Sequence, residues 1–167
     1  DCFLESDLQE LKDLKLTLVE ISKSLFNEIE LVEVSQTHGD LQAANILIPF
    51  QDSSREVYII DWEYSDIRCL HYDWFVYGLK SRSPDGLSKR IISLVNSDEY
   101  TLSKIDWYDF SGISIHKVKA MIILFLVEEF LFRLDDTNLP NLFVKPKGFT
   151  IFLFEAKLFL DQFIVKH

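Results

Sequence analysis

Leucines recur at every third or fourth position in the first part of this chain. Leu8, Leu11, Leu14 and Leu18, then Ile21, Leu25 and Phe26, keep a 3.6-residue period with Glu, Asp and Lys between them. That pattern predicts an amphipathic helix over residues 6–27. Ser6 and Gln9 have the spacing of a capping box at its start. The period then shortens. Residues 31–37 look extended, and 46–50 and 56–60 are short β-branched runs on either side of a polar stretch, 51–55. This is the pattern of a β-hairpin. Helical spacing returns afterwards. A short aromatic-rich segment covers 71–80, and Ser83 followed by Pro84 predicts a helix start that runs to about Asn96. A long helix is expected over 115–134 and a last one over 149–165, with Pro140, Pro146 and Gly148 marking a loop between them. Phe125, Phe130, Phe132, Phe152, Phe154, Phe159 and Phe163 fall on helical spacing and are expected in the core. With no repeat and no linker, residues 1–167 predict a single, mainly helical α+β domain.

Composition narrows the picture in a few places. Apolar residues make up 48% of the 167, enough for a real core. Cys2 and Cys69 form neither a disulfide framework nor a metal-ligand spacing, so a reduced, cytoplasmic protein is expected. The net charge of −10 disfavours nucleic acid as a partner and suits a cationic substrate. It serves solubility equally well. No basic, apolar leader is visible, and the apolar run from Ala120 to Val127 is too short for a membrane span. Met121 is the only methionine, so a fragment or a processed product is expected.

The candidate chemistry lies around the hairpin. His38-Gly39-Asp40 is followed by Asn45, five positions after Asp40, and by Asp61, sixteen positions after Asn45. A phosphoryl-transfer site needs one carboxylate to orient and deprotonate a hydroxyl. It also needs an amide and a second carboxylate to hold magnesium on the phosphates of ATP. Asn45 stands just before the first expected strand and Asp61 just after the second, so antiparallel pairing would bring them together. For each residue alone, a turn or cap role is the simpler reading.

His38 to Asn45 resembles the H-G-D-x-x-x-x-N motif of the aminoglycoside phosphotransferase and choline kinase superfamily. Ile60-Asp61-Trp62-Glu63-Tyr64 is similar to the I-D-[WF]-E-Y segment of choline and ethanolamine kinases, and Asp73 follows Asp61 by the twelve residues seen in those families. The resemblance covers roughly residues 35–80 and rests on helix order beyond them. It implies the C-terminal lobe of a protein-kinase-like fold. It further implies an ATP-dependent small-molecule kinase acting on a hydroxyl of a cationic substrate, such as an aminoglycoside, choline or another amino alcohol. Carried over, Asp40 is the catalytic base, His38 organises its loop, and Asn45 and Asp61 hold Mg2+ and the ATP phosphates. Asp73 braces the loop, with a plain helix N-cap as the alternative. Glu63 is a candidate for a substrate or metal contact and equally for a surface ion pair. Trp107 and Tyr108, in a polar loop, are the candidate substrate aromatics through cation–π attraction, with core packing as the alternative.

A kinase of this kind also needs a smaller lobe with a glycine-bearing loop and a strand lysine over the phosphates. Residues 1–37 contain no glycine and no such strand, so the N-terminal ATP-binding lobe is expected to be absent from this chain. It is removed by fragmentation, lost by truncation or supplied by another chain, and the isolated chain is expected to be inactive or barely active. A non-catalytic binding or scaffolding module is the other reading. A metal-dependent phosphohydrolase is weaker, for want of carboxylates and histidines.

Overall fold

Helix α5 (Ile115–Asp136) is apolar on nearly every side, as a helix surrounded by others must be. Val118, Ile122, Ile123, Phe125 and Leu126 on it are fully buried. The computed structural model describes residues 5–26, 32–48, 56–102, 104–136 and 147–165. Helices α1 (Glu5–Phe26), α2 (Tyr72–Gly78) and α3 (Leu87–Val95) pack on α5, and α3 also packs on α6 (Lys147–Val165). Leu11, Leu14 and Leu18 supply the buried stripe of α1. One apolar cluster joins these helices. A short helix, α4 (Glu99–Leu102), lies between α3 and α5.

Two small antiparallel sheets accompany this helical body. Strand β1 (Val34–Thr37) pairs with β4 (Asp66–Cys69), with Thr37 opposite Asp66, and β4 packs on α5. Strand β2 (Ile46–Leu47) pairs with β3 (Tyr58–Ile59), with Ile46 opposite Ile59. Among the described residues the structure is 60% helix and 10% strand, a mainly helical α+β arrangement. Among the described residues no helix is long and apolar enough to cross a membrane.

The expected helices at 6–27, 115–134 and 149–165 and the expected hairpin are present, with shorter strands. The hairpin tip and the centre of the expected 135–148 loop lie outside the described residues, and so does the side chain of Phe163. Several expectations are corrected. Gln9 donates to the Asp13 carboxylate at 2.7 Å instead of turning back to cap α1. Strand β4 occupies a stretch expected to lead into helix. Phe154 is 60% exposed, beside a groove lined by Leu14, Leu153 and Lys157, and Phe132 is only partly buried.

The helix after Ser83-Pro84 starts later than the local signal predicts. Residues 84–87 form a turn closed by Leu87 N–H on the Pro84 carbonyl at 2.9 Å, and α3 begins after Gly86. Its cap comes from a distant helix. The Glu155 carboxylate of α6 accepts the N–H groups of Gly86 and Ser88, both at 2.9 Å, and the Ser88 hydroxyl. Burial raises the Glu155 pKa, but these hydrogen bonds outweigh it and hold the carboxyl below the usual glutamate range.

Glu128 of α5 presents the opposite balance. One carboxylate oxygen accepts the Cys69 N–H at 2.9 Å, and the other is buried without a partner. Burial pushes its pKa up, over the opposing pull of the Cys69 hydrogen bonds and the Arg68 charge. A carboxyl raised by folding stabilises the fold fully below its unfolded pKa and loses that contribution as pH rises through the folded value. Glu128→Gln keeps the acceptor for Cys69 and removes the charge. Urea unfolding is expected to show the variant matching the native chain near pH 4 and exceeding it in stability at pH 7; equal stabilities at both pH values would refute this.

Candidate functional site

The loop between β1 and β2 owes its shape to a glycine and to side chains that satisfy its backbone. Gly39 has φ 84°, and a Cβ there would sit 2.2 Å from the Tyr64 carbonyl oxygen, so both conformation and space require glycine. Asp73, in the first turn of α2, accepts the N–H groups of His38 at 2.6 Å and Gly39 at 2.9 Å, one on each carboxylate oxygen. The buried His38 ring accepts the Asp40 N–H on Nδ1 at 3.2 Å. Its proton therefore lies on Nε2, which donates to the Ile60 carbonyl at 2.7 Å. His38 thus ties the Asp40 loop to the end of β3, and Trp62 lies edge-on against its ring at 4.8 Å.

Asp40 is held by more groups than sequence indicates. Its Oδ1 accepts from Arg82 Nε at 2.6 Å. Its Oδ2 accepts from Gln42 Nε2 at 2.9 Å and Asn45 Nδ2 at 3.2 Å. A carboxylate offers about four lone-pair positions. Oδ2 is filled by its two donors, so the open position belongs to Oδ1. The Asn45 amide also donates to the Asp40 carbonyl at 2.9 Å.

Asn45 and Asp61 come to one end of the hairpin. The Asn45 carbonyl accepts the Ile60 N–H at 3.0 Å, which sets Asp61 one residue beyond the pairing position. Asp61 has φ 67° and ψ 58°, the left-handed region that non-glycine residues enter at a cost. It is exposed and precedes the 3-10 turn Trp62–Tyr64. Glu63 on that turn is exposed and forms no ion pair among the described residues. No three His, Cys, Asp or Glu side chains gather as a metal site among the described residues; an Asn–Asp pair that shares phosphate oxygens for its remaining ligands is of another kind.

Arg82 is the residue that sequence reasoning missed. It follows α2 in a polar turn, 42 positions from Asp40. Besides Asp40 it donates to the Gly39 carbonyl and, through Nη1, to Glu129 of α5 at 2.6 Å. Glu129 is fully buried and also accepts from Arg133 at 2.9 Å and from the Tyr72 hydroxyl at 2.9 Å. The Arg82 guanidinium lies 4.2 Å from the Phe132 ring centroid. Burial works against its charge, but the Glu129 carboxylate, with Tyr72 and Asp40, more than restores it and raises its pKa. Tyr72 is driven up by burial and then by Glu129, so it stays a neutral donor.

Beside this loop opens a cleft of about 470 Å3, lined in part by Gln42, Gly78, Lys80, Arg82, Asp106 and Trp107. Trp107 lies on the end of α2. A Cβ at Gly78 would fall 2.1 Å from the indole ring, and Gly78 is absent from the positive-φ residues, so space alone accounts for the glycine. Gly78→Ala is therefore expected to destabilise the fold by about 1–2 kcal/mol, overpacking outweighing the better helix propensity of alanine. Thermal unfolding reads this, and an unchanged or raised midpoint would contradict it. Tyr108 does not line the cleft. Its hydroxyl meets His71 Nδ1 at 2.8 Å, and its ring packs on Phe110 at 4.7 Å. Both expected aromatics pack on core rings, Trp107 on Phe75 and Phe110 and Tyr108 on Phe110, and of the two only Trp107 also lines the cleft.

No family model, no curated protein and no solved structure matches this chain.

Proposed function

We propose that this chain is the catalytic lobe of an ATP-dependent small-molecule kinase of the aminoglycoside phosphotransferase and choline kinase type. The observation that carries the reading is the joining of Asp40, Asn45 and the entry to Asp61 at one end of a two-stranded hairpin. Asn45 and Asp61 supply the oxygen donors suited to magnesium on phosphates, and the strained backbone at Asp61 fits a residue placed for binding. Magnesium held by Asn45 and Asp61 would neutralise charge on the phosphates of ATP, which would supply the phosphoryl group. Asp40 aligns the acceptor hydroxyl and receives its proton at the open position of Oδ1. Gln42, Asn45 and Arg82 keep that carboxylate from rotating. His38 and Asp73 hold the loop, and neither meets the acceptor.

The rim of the hairpin supports a missing cover. Leu47, Ile48, Val57, Ile60 and Trp62 are each at least 41% exposed there. Helix α1, the only described element before β1, packs on α5 and α6 instead. A second lobe, from a longer chain or from a partner, would bury the adenine and this apolar surface together. The same bare rim is the observation that favours a binding or scaffolding module without chemistry.

Calorimetry with magnesium-ATP separates the two. The chain is expected to bind weakly, Asp61→Ala is expected to abolish the binding, and phosphotransfer by the isolated chain is expected to be barely detectable over amino alcohols and aminoglycosides. Absence of binding, or binding indifferent to Asp61→Ala, would overturn the kinase reading. Turnover at an ordinary kinase rate, about 1–100 per second, would overturn the need for a second lobe.

A further inference from the structure

Resting on the kinase reading, we infer that Arg68 is a positioning residue of the site. Its guanidinium bridges the loop of Asp40 to the turn that follows Asp61, and so fixes the two carboxylates relative to each other. Arg68 lies on β4, and its Nη1 donates to the Thr37 hydroxyl at 2.9 Å and to the Tyr64 carbonyl at 3.1 Å. Because Nη1 carries two hydrogens, both bonds stand together. Thr37 ends β1 directly before His38-Gly39-Asp40, and Tyr64 ends the 3-10 turn that Asp61 enters. One nitrogen therefore ties the two segments.

The bridge supplies an anchor on the far side of Asp61. On the near side, the Ile60 carbonyl accepts from His38 Nε2 at 2.7 Å, and the Ile60 N–H meets the Asn45 carbonyl at 3.0 Å. The Trp62 indole N–H also turns back, to the Ile59 carbonyl at 2.8 Å. Asp61, Trp62 and Glu63 are exposed. A non-glycine residue at φ 67° stays there only where its surroundings impose it. Arg68 on Tyr64 and His38 on Ile60 grip the chain on either side of that strained residue.

Gly39 serves the same bridge. A Cβ there would lie 2.2 Å from the Tyr64 carbonyl oxygen and 2.9 Å from Arg68 Nη1, so it would crowd both acceptor and donor. The guanidinium is itself held in orientation, 4.9 Å from the Tyr72 ring centroid and 5.7 Å from that of Phe132. Tyr72 immediately precedes Asp73, which holds the other end of the loop. A planar cation suits this stacked place; a lysine is shorter and is a point charge.

Protein NMR on the full chain tests both halves of the inference. The Ser65 N–H closes the turn on the Trp62 carbonyl at 3.1 Å. Without nucleotide, Arg68→Gln is expected to speed amide exchange at Ser65 at least about tenfold. Titrated with magnesium-ATP, the same variant is expected to bind at least about tenfold more weakly than the native chain, as when a residue behind a metal ligand is removed. Arg68→Lys keeps the charge and is expected to recover either effect only in part. Ile91→Val, a truncation in the fully buried core of α3, is expected to lower stability and to show neither effect. Far-ultraviolet circular dichroism checks folding, and if the glutamine variant does not fold, Arg68→Lys must show both effects by itself. Unchanged exchange at Ser65, unchanged magnesium-ATP affinity, full recovery with lysine, or equal losses in Ile91→Val would each overturn the inference. The exchange measurement needs no nucleotide, so it decides the bridge even if the native chain fails to bind magnesium-ATP, a failure that falls on the kinase reading itself.

Discussion

Replacing Arg82 with alanine is expected to destabilise the fold by about 3–5 kcal/mol, the cost of breaking a buried ion pair by removing one partner. Three acceptors depend on this guanidinium: the Asp40 carboxylate, the Gly39 carbonyl and the Glu129 carboxylate. Glu129 has no exposed surface to recover hydration, and it would be left to Arg133 and the Tyr72 hydroxyl. In a domain of this size each kcal/mol lowers the melting midpoint by roughly 2–4 °C, so a fall of about 10 °C is expected. Arg82→Lys is expected to recover less than half of the loss. An ammonium is a point charge, and it cannot span acceptors that the planar fork reaches along different directions. Thermal and urea unfolding of both variants measure this; a loss under 1 kcal/mol for Arg82→Ala, or full recovery with lysine, would show that the clamp contributes little.

Removing the Asp73 carboxylate is the second large effect. Asp73→Ala leaves the N–H groups of His38 and Gly39 without acceptors beneath a loop whose first two residues are buried. At about 1–3 kcal/mol for each stranded buried donor, a loss of roughly 2–4 kcal/mol is expected. Asn offers one oxygen where Asp offers two, so Asp73→Asn is expected to fall between alanine and the native chain. Graded midpoints in that order are the predicted result. An Asn variant as stable as the native chain would mean that only one of the two hydrogen bonds matters.

The sequence carried the parts of this structure that are local. The long helices were legible because α1, α5 and α6 keep a helical period over many turns, and the hairpin was legible because a polar stretch divides two β-branched runs. Strand β4 was not, because Asp-Ile-Arg-Cys has no alternation of its own and is a strand through its pairing with β1, about thirty residues away. The start of α3 was misplaced for a related reason. Ser83-Pro84 is a genuine local start signal, but the donors at the helix end are met by Glu155. Phe154 keeps the period of its core neighbours and still faces solvent, since periodicity identifies a face without saying whether another element covers it.

The site divides in the same way. Asp40, Asn45, Asp61 and Asp73 could be picked out as candidates because they stand at fixed spacings along a short stretch. Arg82 sits in a Lys-Ser-Arg-Ser turn that looks like an ordinary solvated loop. Only the packing of α2 against α5 brings it between Asp40 and Glu129.

The cap that Glu155 provides for α3 ties two helices into one kinetic unit. An isolated nine-residue helix is marginal in water, and here its end depends on a side chain more than sixty positions away. Helix α3 can therefore be fully formed only while α6 is docked. Amide protons in the two helices should exchange with solvent through a shared opening and at a common rate, even though other segments lie between them in the chain.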